Sequence, residues 1–270
     1  MGRIGRSFQL VGQSYRILMQ DKELMILPLI SGVIIAAVIV SFAFGFGLSS
    51  ARVEEHGPDV YLPVFLMYVA TYAIGIFFQA AVVAGATERM RGGDPTVSSA
   101  LAAAARRMGP ILLWAIVAST VGMIIRAIHD RVGFVGKIVA SLIGAAWSLA
   151  TFFVVPVLVL EQRSIGESFT RSVSVFKQTW GETVAGGASL GIATACAWVT
   201  LVAVTGLLAW AGAGFVALAV FFLGAIFLMI FFSALQGVYV ASLFRFATEG
   251  PAASGFDGDL LRQAFVPKGR

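Results

Sequence analysis

Six long apolar runs alternate with polar segments along the chain: Ile26–Leu48, Leu62–Ala86, Pro110–Ile125, Phe134–Leu160, Val184–Trp210 and Gly214–Phe244. A hydrocarbon core about 30 Å thick requires roughly 20 apolar residues in a helix, so each run is predicted to cross a bilayer. The third is the shortest. The sixth is longer than crossing requires and is expected to tilt or to extend past the lipid.

The segments between runs carry a second pattern. Ile4, Phe8, Val11, Tyr15 and Leu18 recur every three or four residues, as do Val97, Leu101, Ala105 and Met108, and then Ile165, Phe169, Val173, Phe176 and Trp180. This period places apolar side chains on one face of a helix. Beside a span, such a helix is expected to lie in the headgroup layer, with basic residues toward anionic lipid. The membrane-interface anchors are then Arg16, Arg106, Arg107, Arg171, Lys177 and Trp180. Packing of these helices on the spans is the plainer alternative, and the two are compatible. Asp94-Pro95-Thr96 supplies turn and cap residues ahead of the second helix. Arg163/Glu167 and Glu167/Arg171 stand four apart on the third.

Each short helix precedes two spans, which divides the chain into repeat-like units of about 1–92, 93–161 and 162–247. Ile4-Gly5-Arg6-Ser7-Phe8 parallels Ile165-Gly166-Glu167-Ser168-Phe169, and Tyr15-Arg16 parallels Phe176-Lys177 at the same offset. The expected fold is all-α: a polytopic six-helix transmembrane bundle with amphipathic interfacial helices, open to a threefold repeat about the membrane normal. It forms a single transmembrane domain over 1–247 with a flexible tail over 248–270.

Composition supports this reading. Hydrophobic residues make up 59% of the chain and charged residues 12%, with mean hydropathy +0.91. A soluble domain is about 45–50% apolar and about 25% charged, so there is too little polar surface here to face water. The net charge of +5 does not form a nucleic-acid patch, because its Lys and Arg flank the apolar runs. Fifteen of them fall in the N-terminal segment, the second and fourth connections and the tail; only Arg52, Arg126, Arg131 and Lys137 fall on the opposite side. Positive charge resists translocation, which predicts a bacterial inner-membrane protein with both termini cytoplasmic. Ser49-Ser50-Ala51 resembles a signal-peptide cleavage site, but the preceding apolar run is longer than the roughly 7–15 residues of a signal peptide, so the first run is read as a retained span. Cys196 is alone and excludes an intramolecular disulfide.

The run from Trp147 to Glu161, then Ser168-Phe169-Thr170-Arg171-Ser172 and Val175-Phe176-Lys177-Gln178-Thr179-Trp180-Gly181-Glu182, resembles an uncharacterised family of six-span bacterial integral membrane proteins known only as a domain of unknown function. The opening, with Asp21-Lys22-Glu23-Leu24 leading to Pro28, is similar as well. The resemblance covers about residues 1–250. It implies the fold and a bacterial source, and brings no activity, ligand or cofactor.

The residues themselves offer little chemistry. The chain has no zinc-protease, phosphate-loop, paired-cysteine or dinucleotide motif, so no enzyme and no cofactor are expected. Glu54, Glu55, His56 and Asp59, with His129 and Asp130, could gather round a metal, but their spacing favours a solvated loop. Span centres carry no charge, which argues against ion coupling. Gln79, Thr151 and Gln236 are the candidate polar intramembrane positions, most simply as interhelical hydrogen-bonding groups. Ala81/Gly85, Gly187/Gly191 and Gly237/Ala241 place small residues on one helix face, and Pro156 is expected to kink span four. The function expected from this inventory is a non-enzymatic accessory or scaffold role. The alternative is a passive transporter or channel for a small or lipid-like solute. The expected partners are the bilayer, with its anionic headgroups, and a membrane-protein partner or a second copy of the chain.

Overall fold

In a computed structural model, the protein is described at Gly12 and over residues 14–45 and 61–249. Among these residues the regular structure is helical throughout, with no strand. Helix α1 (14–20) leads through a 3-10 turn, Lys22–Met25, into α2 (Ile26–Gly45). There follow α3 (Tyr61–Met90), α4 (Val97–Ala105), α5 (Met108–Arg131), α6 (Phe134–Ala150), α7 (Ile165–Gln178), α8 (Trp180–Trp210) and α9 (Gly214–Glu249). Between α6 and α7 lie one α-helical turn, Val154–Pro156, and a π-helical turn, Val157–Glu161.

Six stretches are long and apolar enough to cross a membrane: Lys22–Gly45, Leu62–Met90, Met108–Arg131, Phe134–Glu161, Thr183–Trp210 and Gly214–Glu249. The fold is therefore all-α and polytopic. The third span is 24 residues, longer than its apolar core, because backbone pairing continues through the polar residues at both ends. The sixth reaches Glu249, where Arg245 donates to Glu249 four residues on and so holds its last turn. Each of α1, α4 and α7 precedes two long helices. The parallel segment Ile4–Phe8, the outer loop over 46–60 and the tail from 250 lie outside the described residues.

The chain divides into two compact units that do not follow these three pairs. One is drawn from residues 1–28, 85–97 and 177–270. There α8 and α9 form a close hairpin, α9 also packs on the 3-10 turn, and Tyr15 meets Phe231 with ring centroids 6.1 Å apart. Gly186 lies under the Tyr239 ring and Gly224 under the Leu201 side chain. The other unit is drawn from 29–84 and 98–176. There α5 and α6 pair, and a stack of Trp114, Trp147 and Phe169, with centroids 6.0 and 5.9 Å apart, ties α5, α6 and α7 together.

Every span is buried mainly toward its basic end. Leu24 and Leu27, Ala80–Val83, Ile111–Ala115, Phe153–Val159, Thr183–Leu190 and Ala234–Arg245 contain most of the buried positions. The opposite halves expose Val40 and Phe44, Phe134 and Leu142, Leu207 and Trp210, Phe215 and Leu223. An apolar surface this extensive is stable in hydrocarbon and not in water.

Helices α4 and α7 turn inward mainly small side chains next to the bulky row that the sequence marks, whereas α1 also buries Leu18 of that row. In α7 the buried residues are Ser168, Ser172 and Val175, while Ile165, Phe169, Val173 and Phe176 are half-buried and Trp180, just beyond, is exposed. In α4 they are Ala100 and Ala104, with Ala105 exposed; Met108 beyond it is exposed too. In α1 Ser14, Ile17 and Leu18 are buried and Tyr15 is exposed. Small residues let backbones approach closely where burial of apolar area gives little drive between helices in lipid. The same effect sorts the glycine pairs: Ala81/Gly85 and Gly237/Ala241 are buried, whereas Gly187 and Gly191 face open space and Gly186 makes the close approach instead.

A methyl group at Gly186 would overlap the buried Tyr239 ring. Gly186→Ala should lower stability by about 1–3 kcal/mol, as overpacking does. Gly187→Ala, in open space on the same helix, should be neutral or stabilising by about 0.5–1 kcal/mol. Melting of both variants in mild detergent checks the pair, and equal effects would contradict the close approach of α8 and α9 at Gly186.

Candidate functional site

Polar side chains converge where span four ends. Proline at 156 has no N–H to donate to the Phe152 carbonyl, and the helix opens just ahead of it, at 151–153. Thr151 N–H still donates to Trp147 O at 3.0 Å and Val154 N–H to Thr151 O at 3.0 Å. The N–H of Phe153 leaves the ladder and donates to Ser172 Oγ at 3.0 Å, while that hydroxyl donates to Ala150 O at 2.7 Å. One fully buried hydroxyl from α7 thus serves one donor and one acceptor that the open turn takes out of the α-helical ladder. Arg107 Nε donates to Leu158 O, in the π-turn, at 3.0 Å and its Nη2 to Arg163 O, just beyond it, at 2.9 Å. The first of these carbonyls belongs to a helix end, where backbone acceptors otherwise lack partners.

Charge gathers on the same turn. Gln162, at φ 54 and ψ 34, reverses the chain in the left-handed region. Glu161 Oε2 accepts from Arg163 Nε at 2.5 Å and Oε1 from Arg171 Nε at 3.0 Å. The i, i+4 pairs of Glu167 expected from sequence do not form. Its Oε2 instead accepts from Ser164 Oγ at 2.7 Å and Ser164 N–H at 3.0 Å, the carboxylate half of a capping box that starts α7. Those two hydrogen bonds hold the Glu167 carboxyl below the usual carboxylate range. The Ser-x-x-Glu spacing was the available signal for this cap.

The anchors expected from sequence therefore divide. Arg16, Arg106, Lys177 and Trp180 are exposed, whereas Arg107 and Arg171 are tied into this turn. Thr151 is half-buried and donates to Trp147 O at 2.8 Å within its own helix. Gln79 is half-buried and Gln236 exposed, and neither amide has a hydrogen-bond partner among the described residues. No three metal-ligating groups come together among the described residues. Among the described residues His129 pairs with its neighbour Asp130, at 3.6 Å, and Glu54 to Asp59 lie outside them.

This turn, from Arg107 to Ser172, lies wholly within residues 59–256, which match a family model. The chain belongs to DUF6159, a family of unknown function. No curated protein and no solved structure matches it. Membership in DUF6159 agrees with the six spans and brings no reaction or ligand.

The other unit holds a second polar cluster, which the DUF6159 match covers except at Asp21 and Glu23. Asp21 is only 6% exposed and its Oδ2 has no partner among the described residues. Burial pushes its carboxyl above the ordinary range; Arg89 draws it back, while Asp94, Glu23 and Glu88 add to the rise. Arg89 itself is paired with Asp94 at 3.2 Å. Arg245, 4% exposed, donates through Nε and Nη2 to Glu249 Oε2, and Arg91 donates to Glu249 Oε1 at 2.7 Å. No motif or spacing in the sequence marks Asp21 or Arg245; only their burial in the fold does.

Two outcomes follow from these contacts. Ser172→Ala should cost about 1–3 kcal/mol by stranding buried backbone groups, read as a fall in melting midpoint. Because Asp21 prefers its proton in the folded state, its contribution is fully present below pH 3.8 and is lost as pH rises through the higher folded value. Asp21→Asn should match the wild type at acid pH, exceed it in melting midpoint near neutrality, and flatten that part of the pH profile.

Proposed function

We propose that the protein is a non-enzymatic scaffold or accessory of a bacterial inner membrane, with its basic connections and both termini in the cytoplasm. The supporting observation is that burial concentrates at the basic end of every span, leaving the opposite halves exposed and apolar. Several of the described charged groups at the basic ends join helix ends: Arg107 serves two carbonyls, Glu161 joins two arginines, and Glu249 joins Arg91 to Arg245. The excess of Lys and Arg on those connections supports their cytoplasmic placement.

A passive pathway is the second reading, favoured by the break in span four, since interrupted spans often line binding sites in transporters. Here Ser172 fills the break. Reconstitution into vesicles separates the two readings. The scaffold reading predicts solute leakage and lipid flip-flop at the rate of protein-free vesicles, together with a reporter fused after Glu249 reading as cytoplasmic. Flux clearly above empty vesicles would replace it with the pathway reading, and an external reporter would overturn the orientation.

A further inference from the structure

We propose that the basic turn at the end of span four binds the phosphate group of an anionic phospholipid through the terminal nitrogens of Arg163 and Arg171. Both guanidinium groups meet Glu161 through Nε alone, and neither has a further partner among the described residues. The Nη1 and Nη2 atoms of each are therefore available. Their side chains are 46% and 30% exposed, whereas Glu161 between them is 19% exposed. A carboxylate that fixes two guanidinium groups by one edge leaves their remaining N–H groups preorganised. Forked N–H donors suit the oxygens of a phosphate.

The backbone beneath is equally fixed. Arg107 holds the Arg163 carbonyl, Gln162 sets the reversal, and Glu167 is occupied in capping Ser164 and does not compete for either arginine. The turn stands where the apolar span Phe134–Glu161 ends. Lipid phosphates are concentrated at that depth, which favours a lipid headgroup over free phosphate as the source. This site rests on the membrane placement proposed above and is independent of whether the chain is a scaffold or a pathway.

The test is native mass spectrometry of the full chain in uncharged detergent, offered phosphatidylglycerol, phosphatidylcholine or inorganic phosphate. Wild type should retain phosphatidylglycerol roughly tenfold better than phosphatidylcholine, given two headgroup-facing arginines. Excess inorganic phosphate should not displace it. The triple variant Glu161→Gln, Arg163→Gln, Arg171→Gln, which strands no charge, should lose the preference, while Arg106→Gln should keep it. Equal retention of the two lipids, a triple variant like wild type, or displacement by phosphate would each overturn the site. Failure of the membrane placement itself would appear separately, as a chain monodisperse in detergent-free buffer.

Discussion

In hydrocarbon, a backbone N–H or carbonyl that leaves its helix has no water to turn to. That constraint accounts for the most specific polar contacts of this protein. Pro156 removes one donor from span four, and the chain responds by opening the helix over 151–153 and winding a π-turn after it. The open groups are then met by side chains distant in sequence: Ser172 from the following helix and Arg107 from the start of α5. A proline that would merely kink a soluble helix here fixes the position of α7.

The same scarcity of alternatives governs packing. Apolar side chains gain little by leaving lipid for one another, so close contact goes to residues small enough to allow it. Gly186 beneath Tyr239, the Ala100/Ala104 row and the Ser168/Ser172 row are instances. Bulky residues of the same helices stay at the margins, where contact with acyl chains costs them nothing. In α4 and α7 the most hydrophobic face is therefore not the most buried one.

That difference explains what could and could not be read from sequence. The six spans and their order were readable, because span length is set by bilayer thickness and needs no knowledge of neighbours. The inward faces of α4 and α7 were displaced by one row, because periodicity ranks residues by hydrophobicity and not by closeness of approach. Gly187 and Gly191 had the spacing of a contact, yet Gly186 makes it, since only the partner helix decides which stripe is used. At the candidate site, the kink at Pro156 was expected, but Ser172 was unremarkable without the break opposite it. The pairing of Glu161 with both arginines displaced the more obvious pairs of Glu167 because the Ser164 cap claims that carboxylate first.

Structural use of charge also bears on function. Arginines that would otherwise interact only with lipid or a partner close helix ends, and what remains free of them defines the surface available for recognition. The most direct measurement of the underlying claim is amide hydrogen exchange across residues 150–160 in a membrane mimetic. A substituted hydrogen bond predicts slow exchange at Phe153 despite the open helix, turning fast when the Ser172 hydroxyl is removed. Fast exchange at Phe153 in the wild type would contradict it.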